Sequence, residues 1–209
     1  PNIMSLPKAS WCDTFSIGMG ENNDFRILEF AENREGVSFQ LHWRGKLITE
    51  VNWGMTGEFN ARNLAMSCLG SILAQSARLG KKVDVSNPFS GFEIPDYSKC
   101  KGVKRRQEIL IDQAEVVVIS DFGHHPTAIE GTLQSIRSRW PDRKIIACFE
   151  PRSNTAVTNV FQDRFADSLA ISDEVLLGSV HRADKIPITK RIDTQAMIQR
   201  IQDLGKKKK

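Results

Sequence analysis

Val116-Val-Val-Ile-Ser-Asp-Phe-Gly-His-His-Pro-Thr127 is the stretch on which the fold turns. Val116 to Ile119 form a continuous β-branched run, the pattern of a strand buried on both faces. Ser120 to His125 are a polar turn. Pro126 suits the first position of a helix, where the N–H it lacks would go unbonded anyway. Beyond it Ile129, Leu133, Ile136 and Trp140 recur at +4, +3 and +4, which predicts a helix over 126–140 with one apolar stripe. The same alternation continues downstream. Lys144-Ile-Ile-Ala-Cys-Phe149 reads as a second buried strand, 160–170 as a helix with Phe161, Phe165 and Leu169 in line, and Glu174-Val-Leu-Leu177 as a third strand. A last helix is expected from Thr194, as its N-cap, to Leu204 before Gly205. Strands separated by helices predict an α/β fold with a Rossmann-like, mostly parallel sheet and right-handed crossovers. In such sheets ligands sit outside the carboxyl ends of the strands.

Upstream the pattern changes. Val37-Ser-Phe-Gln-Leu-His-Trp43 and Leu47-Ile-Thr-Glu-Val-Asn-Trp53 alternate strictly, as two strands of a hairpin. A two-residue loop at Arg44-Gly45 would mix Ile48 and Glu50 onto the face of Phe39 and Leu41. A three-residue loop, Arg44 to Lys46, instead pairs Val37 with Trp53, Phe39 with Val51 and Trp43 with Leu47, and is the preferred register. Residues 60–79 carry Leu64, Cys68 and Ile72 at i, i+4 and i+8 and end at Gly80, which predicts a helix buried on one side. Pro88, Gly91 and Pro95 mark 81–100 as a connector, so the domains are expected at 1–96 and 97–209. The opening Pro1 to Trp11 has no start Met and no capping signal, and reads as the interior of a longer chain.

Composition narrows the function classes. Of the 29 basic residues, four are the lysines at 206–209; without them the count equals the 25 acidic ones, so no folded basic surface for nucleic acid is expected. Cys12, Cys68, Cys100 and Cys148 lie far apart with no CxxC, which predicts free thiols in a reducing cytoplasm. No apolar run reaches the roughly 18 residues of a membrane span. Gly45-Lys46, Gly80-Lys81 and Gly205-Lys206 are each followed by the wrong residue for GxxxxGK with Ser or Thr, so the chain holds no Walker A loop.

Chemistry is expected at two strand exits, 120–127 and 150–155. Asp121 can accept hydrogen bonds from vicinal ribose hydroxyls or simply cap its turn. His124 and His125 stand at a helix N-terminus, which disfavours imidazolium; they can meet an anionic ligand, or one ring can cap the helix. With no spaced third ligand they predict no metal site. Arg152 offers a planar fork for carboxylate or phosphate, with Ser153 and Asn154 as supporting hydrogen-bonders. Lys104-Arg-Arg106 can reach a phosphate or be a charged linker, and the Asn63 amide can pair with an adenine edge or face solvent.

Gly57-Glu-Phe-Asn-Ala-Arg-Asn63, Val103-Lys-Arg-Arg-Gln-Glu108, Asp121-Phe-Gly-His-His-Pro-Thr127 and Phe149-Glu-Pro-Arg-Ser-Asn-Thr155 together resemble the Mur ligase family of peptidoglycan enzymes, in order and with suitable spacing over about residues 30 to 204. Glu-Pro-Arg-Ser-Asn-Thr is similar to the branch that joins UDP-N-acetylmuramate to the recycled tripeptide L-Ala-γ-D-Glu-meso-diaminopimelate. The resemblance implies the end of a central ATPase domain followed by a C-terminal Rossmann-like domain. It implies Asn63, Arg106 and Asp121 as ATP-binding residues, and His124, His125, Arg152, Ser153 and Asn154 as receiving the peptide. ATP and Mg2+ are the implied cofactors, an acyl phosphate the implied intermediate. Phe59 stands where relatives often carry His, Ser120 where they often carry a second Asp, and the P-loop and a last strand are missing. A chain of this kind is expected to make no product alone; the alternative is a non-catalytic binding module that retains the fold.

Overall fold

The computed structural model describes residues 12–94 and 96–206. The opening stretch to Trp11, Pro95 and the lysines at 207–209 lie outside the described residues, and with them the readings placed there. The chain divides into two compact units, one running to Lys101 and one from Gly102 onward, with Glu32–Arg34 grouped with the second.

In the first unit a four-stranded sheet has the order β1 (Ile17–Gly18), β2 (Phe25–Asn33), β3 (Gly36–Trp43), β4 (Lys46–Trp53). The β3–β4 hairpin is antiparallel, with Val37 opposite Trp53 and Phe39 opposite Val51, and alternation buries Val37, Phe39, Leu41 and Trp43. The turn corrects the expected three-residue loop. Trp43 pairs with Lys46, not Leu47, across the two residues Arg44 and Gly45. Both have positive φ, +46° and +86°, the twist that matches a right-handed strand pair. A register shift between Leu41 and His42 makes up the extra residue as a bulge. Leu47, expected opposite Trp43, is accordingly 46% exposed.

Helix α1 (Glu58–Arg78) buries Leu64, Cys68, Leu69 and Ile72 on one side. It stops at Gly80, whose φ of +62° allows Lys81 N to donate to Ser76 O at 3.0 Å. The core closes around Trp43, whose ring lies 5.5 Å from Phe15, 6.1 Å from Phe25 and 5.8 Å from Phe89. Its indole N–H donates to Ser86 O at 3.0 Å, so the buried polar atom is satisfied.

The second unit is mixed α/β with a parallel element. β5 (Glu108–Asp112) pairs antiparallel with β6 (Val117–Ser120), and β7 (Ile146–Phe149) pairs parallel with β8 (Glu174–Leu177). Helices α2 (Pro126–Arg139), α3 (Gln162–Leu169) and α4 (Thr194–Lys206) follow β6, β7 and β8. One core joins Ile129 and Leu133 of α2, Phe165 and Leu169 of α3, Met197 of α4 and the inward residues Ala147, Phe149, Val175 and Leu177. Strands buried on both faces were expected, and here the structure differs. Ile146 is 52% and Leu176 59% exposed, because the residues that share a core with the helices, Ala147, Phe149, Val175 and Leu177, alternate onto the other face. Thr194 is the first helical residue rather than the cap. Asp193 caps α4, its Oδ1 accepting from Gln195 N at 2.9 Å and Ala196 N at 3.0 Å.

Asp173 fastens the start of β7 to α2. Its Oδ2 accepts from Ile145 N at 2.7 Å and from Arg137 Nη2 at 2.6 Å. The Ile145 N–H, then the Arg137 guanidinium, hold its carboxyl below its ordinary value of 3.8. A depressed folded-state pKa contributes stability above the unfolded value, and that contribution is lost as pH falls through the folded one. Thermal unfolding followed from pH 7 to 2.5 should therefore show a steeper loss of midpoint below about pH 4 in the unmodified chain than in Asp173→Asn. Identical acid limbs would refute this role.

Candidate functional site

The polar loop leaving β6 is organised by Asp121. Its half-buried carboxylate accepts from Gly123 N at 2.6 Å through Oδ1 and from Gln107 N at 2.9 Å through Oδ2. The first bond closes the turn locally. The second brings in the segment before β5, far away in sequence, and Phe122 N returns a bond to Arg105 O at 2.7 Å. A Cβ at Gly123 would stand 2.9 Å from Asp121 Oδ1, so the carboxylate would have to shift to admit one. Asp121 thus does cap its turn, and its remaining lone pairs are left for a hydroxyl donor.

Residues 103–107 reach the loop in a demanding backbone. Arg105 and Gln107 have φ of +61° and +49°, the left-handed region that costs a side-chain-bearing residue roughly 1–2 kcal/mol. Glu108 Oε2 accepts from Arg105 N at 2.8 Å and helps fix it. The guanidinium carbons of Arg105 and Arg106 lie 5.0 and 5.8 Å from the centre of the Phe122 ring, within cation–π range. Arg106 is thereby held over the ring of Phe122, the residue that follows Asp121.

The two histidines diverge. His124 is exposed, its ring 5.2 Å from Phe122 and its Nδ1 3.2 Å from Phe122 O. The His125 ring meets Phe161 edge-on at 5.2 Å. Neither caps α2 through its ring: His125 holds the cap position without a side-chain bond, and Pro126 takes the first turn. The His125 carbonyl accepts the first helical bonds, from Ala128 N and Ile129 N.

The loop leaving β7 is anchored by buried Pro151 and by Ser153, whose Oγ accepts from Ala156 N at 3.1 Å. That same Oγ lies 3.5 Å from His124 O. β6 and β7 are not hydrogen-bonded to each other, yet their exit loops meet at this point. Arg152 and Asn154 are exposed there, with Arg152 Nε 3.7 Å from Glu150 Oε1. Asn63 is in the first unit, on the exposed face of α1 next to Arg62, which pairs with Glu58. The sequence reading passed over two participants. Gln107 contributes through its main chain, which no side-chain pattern announces, and Phe122 sat unassigned inside the Asp121 loop.

Among the described residues no three His, Cys, Asp or Glu side chains converge to hold a metal ion, and no helix is long and apolar enough to cross a membrane. All four cysteines are free. Residues 105–206 match the family model described as Mur ligase, glutamate ligase domain. The second unit is a Mur ligase C-terminal domain.

Relatives of this Mur ligase domain agree. The UDP-N-acetylmuramate–L-alanine ligase of Pelobacter propionicus is 29% identical over 188 residues, covering 90% of this chain and 38% of its own length. The enzyme of the same name from Lactococcus lactis subsp. cremoris is 35% identical over 166 residues, covering 78% and 34%. The chain therefore spans little more than a third of these relatives. Among solved structures, the UDP-N-acetylmuramate-alanine ligase of Thermotoga maritima superposes with a TM-score of 0.63 at 20% identity over 91% of this chain and 37% of that one, a likeness of fold. A murein peptide ligase of Psychrobacter arcticus gives 0.50 at 25% identity over 90% and 35%.

Proposed function

We propose that this chain is the ATP-clamping and acceptor-receiving part of a cytoplasmic amide-forming ligase that joins UDP-N-acetylmuramate to L-Ala-γ-D-Glu-meso-diaminopimelate in peptidoglycan recycling. The observation that carries the reading is the meeting of the two exit loops, 3.5 Å apart at Ser153 and His124. It brings a hydroxyl-accepting carboxylate and a phosphate-seeking guanidinium to the same end of the unit as a carboxylate-seeking one. Asp121 takes the ribose hydroxyls and Arg106 a phosphate. Arg152 takes a peptide carboxylate, with Ser153, Asn154, His124 and His125 around the peptide. Glu-Pro-Arg-Ser-Asn-Thr in the second loop favours the tripeptide over alanine as acceptor.

In the reaction so assigned, the muramoyl carboxylate takes the terminal phosphoryl group of ATP and ADP leaves. The α-amine of the peptide then attacks the acyl carbon and loses a proton, and phosphate departs as the amide forms. Positioning and charge stabilisation are what the side chains add. The Mg2+ of the resemblance has no donor set among the described residues, and no GxxxxGK loop is present to cradle the terminal phosphates. The chain alone is accordingly expected to bind without turnover.

A titration of the 15N-labelled chain separates this from a module that has lost both ligands. ADP should shift the amides of Gln107 and Gly123, and the tripeptide those of 152–154, each saturably at millimolar concentration or below. Flat spectra with both ligands would remove the reading.

A further inference from the structure

We propose that His181 and Arg182, in the segment leaving β8, form a second cationic wall of the acceptor site and set its preference for an acceptor bearing several carboxylates. The inference rests on the acceptor reading of Arg152 above and assigns residues that reading does not use. β7 and β8 are parallel neighbours, with Phe149 opposite Leu177, so the chain leaves both at the same end. The two exits are then stitched together. Gly178 N donates to Phe149 O at 2.9 Å, and His181 N to Pro151 O at 3.0 Å, which sets residue 181 beside the Arg152 loop. At Gly178 an added Cβ would lie 3.2 Å from Glu150 Cγ, so the two segments run close together.

Arg182 is held with φ 51° and ψ 40°, where glycine would sit without strain. Two bonds keep it there: Lys185 N donates to Arg182 O at 2.9 Å, and Arg191 Nη1 to Ala183 O at 3.0 Å. A long cation at a backbone position suited to glycine is a departure that stability does not require. The charge of the two segments is also one-sided. Their carboxylates are Glu150, already 3.7 Å from Arg152, and Asp184; their cations are Arg152, Arg182 and Lys185, with the His181 imidazole among them. Among the described residues Arg182 makes no ion pair within 4.0 Å, and its side chain is exposed.

One guanidinium fork satisfies one carboxylate. An amino acid needs no more, whereas the tripeptide carries further carboxylates at its distal end, away from the reacting amine. Those need a second set of donors beyond Arg152, and the segment after β8 supplies it.

The test measures affinity of the whole chain for two probes, the tripeptide and its form with both diaminopimelate carboxylates amidated. Arg182→Gln should weaken the tripeptide about tenfold, the scale of one charge-assisted hydrogen bond, and leave the amidated peptide unchanged. Arg182→Gly should lose the same affinity while its thermal midpoint equals or exceeds that of the unmodified chain, since the left-handed backbone is relieved. If Arg182→Gln binds the tripeptide within twofold while the 152–154 amides still shift, the inference is overturned and the acceptor reading stands. An equal loss for both probes would overturn it as well, as a general collapse of the loop. Absence of any shift at 152–154 in the unmodified chain would sink both.

Discussion

Phe165→Ala is expected to cost the second unit about 3–5 kcal/mol, the usual range for truncating a buried aromatic side chain. Phe165 is fully buried and stacks on Phe149 with ring centres 5.4 Å apart. Through that stack α3 packs against the strand that carries the Arg152 loop. The core it belongs to also holds Ile129, Leu133, Leu169 and Met197, and close packing leaves such neighbours little freedom to fill the cavity. For a unit of this size each kcal/mol moves the midpoint by roughly 4–8 °C, so circular dichroism should show the second unit melting at least 10 °C earlier, about the smallest loss those two ranges allow. A shift of under 3 °C would mean that the core relaxes freely, against the packing described.

The second large effect is expected at Asp121. Alanine there strands the Gln107 and Gly123 N–H groups, each of which loses a charged acceptor at 2.9 and 2.6 Å. Hydrogen bonds to charged groups are worth about 1.5–3 kcal/mol each, and because this carboxylate is only half-buried the two together should cost about 2–3 kcal/mol. Hydrogen exchange gives the sharper readout. Both amides should lose protection in Asp121→Ala by at least tenfold relative to the amides of α2, and the Arg105–Gln107 segment should loosen with them. Were the two amides to keep their protection, the tether would have to lie elsewhere. Asp121→Asn keeps one acceptor oxygen, so one of the two amides should stay protected.

Much of this could be read in advance wherever apolar side chains recur with a clean period. The stripes of α1 and α2 and the runs of β6, β7 and β8 announced themselves in that way. β2 did not, since Glu29 adopts φ +51° inside it and breaks the alternation after Phe25 and Ile27. β5 hid behind the basic run that precedes it. The hairpin shows the same boundary: the face of Phe39 and Val51 was legible because alternation fixes it, while the bulge at Leu41 and His42 left no mark in residue type. Asp193 and Thr194 are both good capping residues, and only the geometry of the first turn chooses between them. In the site, position relative to strand ends was enough to nominate the loops at Asp121 and Arg152. What fixes them, a Gln107 amide on the Asp121 carboxylate and a Ser153 hydroxyl between the two loops, is main-chain or generic chemistry that carries no pattern.

Gly123 draws a last consequence from its missing side chain. The residue offers no functional group to any ligand, yet it decides how closely the Asp121 carboxylate can fold back onto its own backbone. A methyl group there would press on that oxygen, while meeting Ile129 Cγ1 at an ordinary 3.5 Å contact, and would push the acid outward and pull on its bond from Gln107. The loop's tolerance of substitution therefore depends in part on its chemically silent member, and a screen scored only on reactive groups would overlook it.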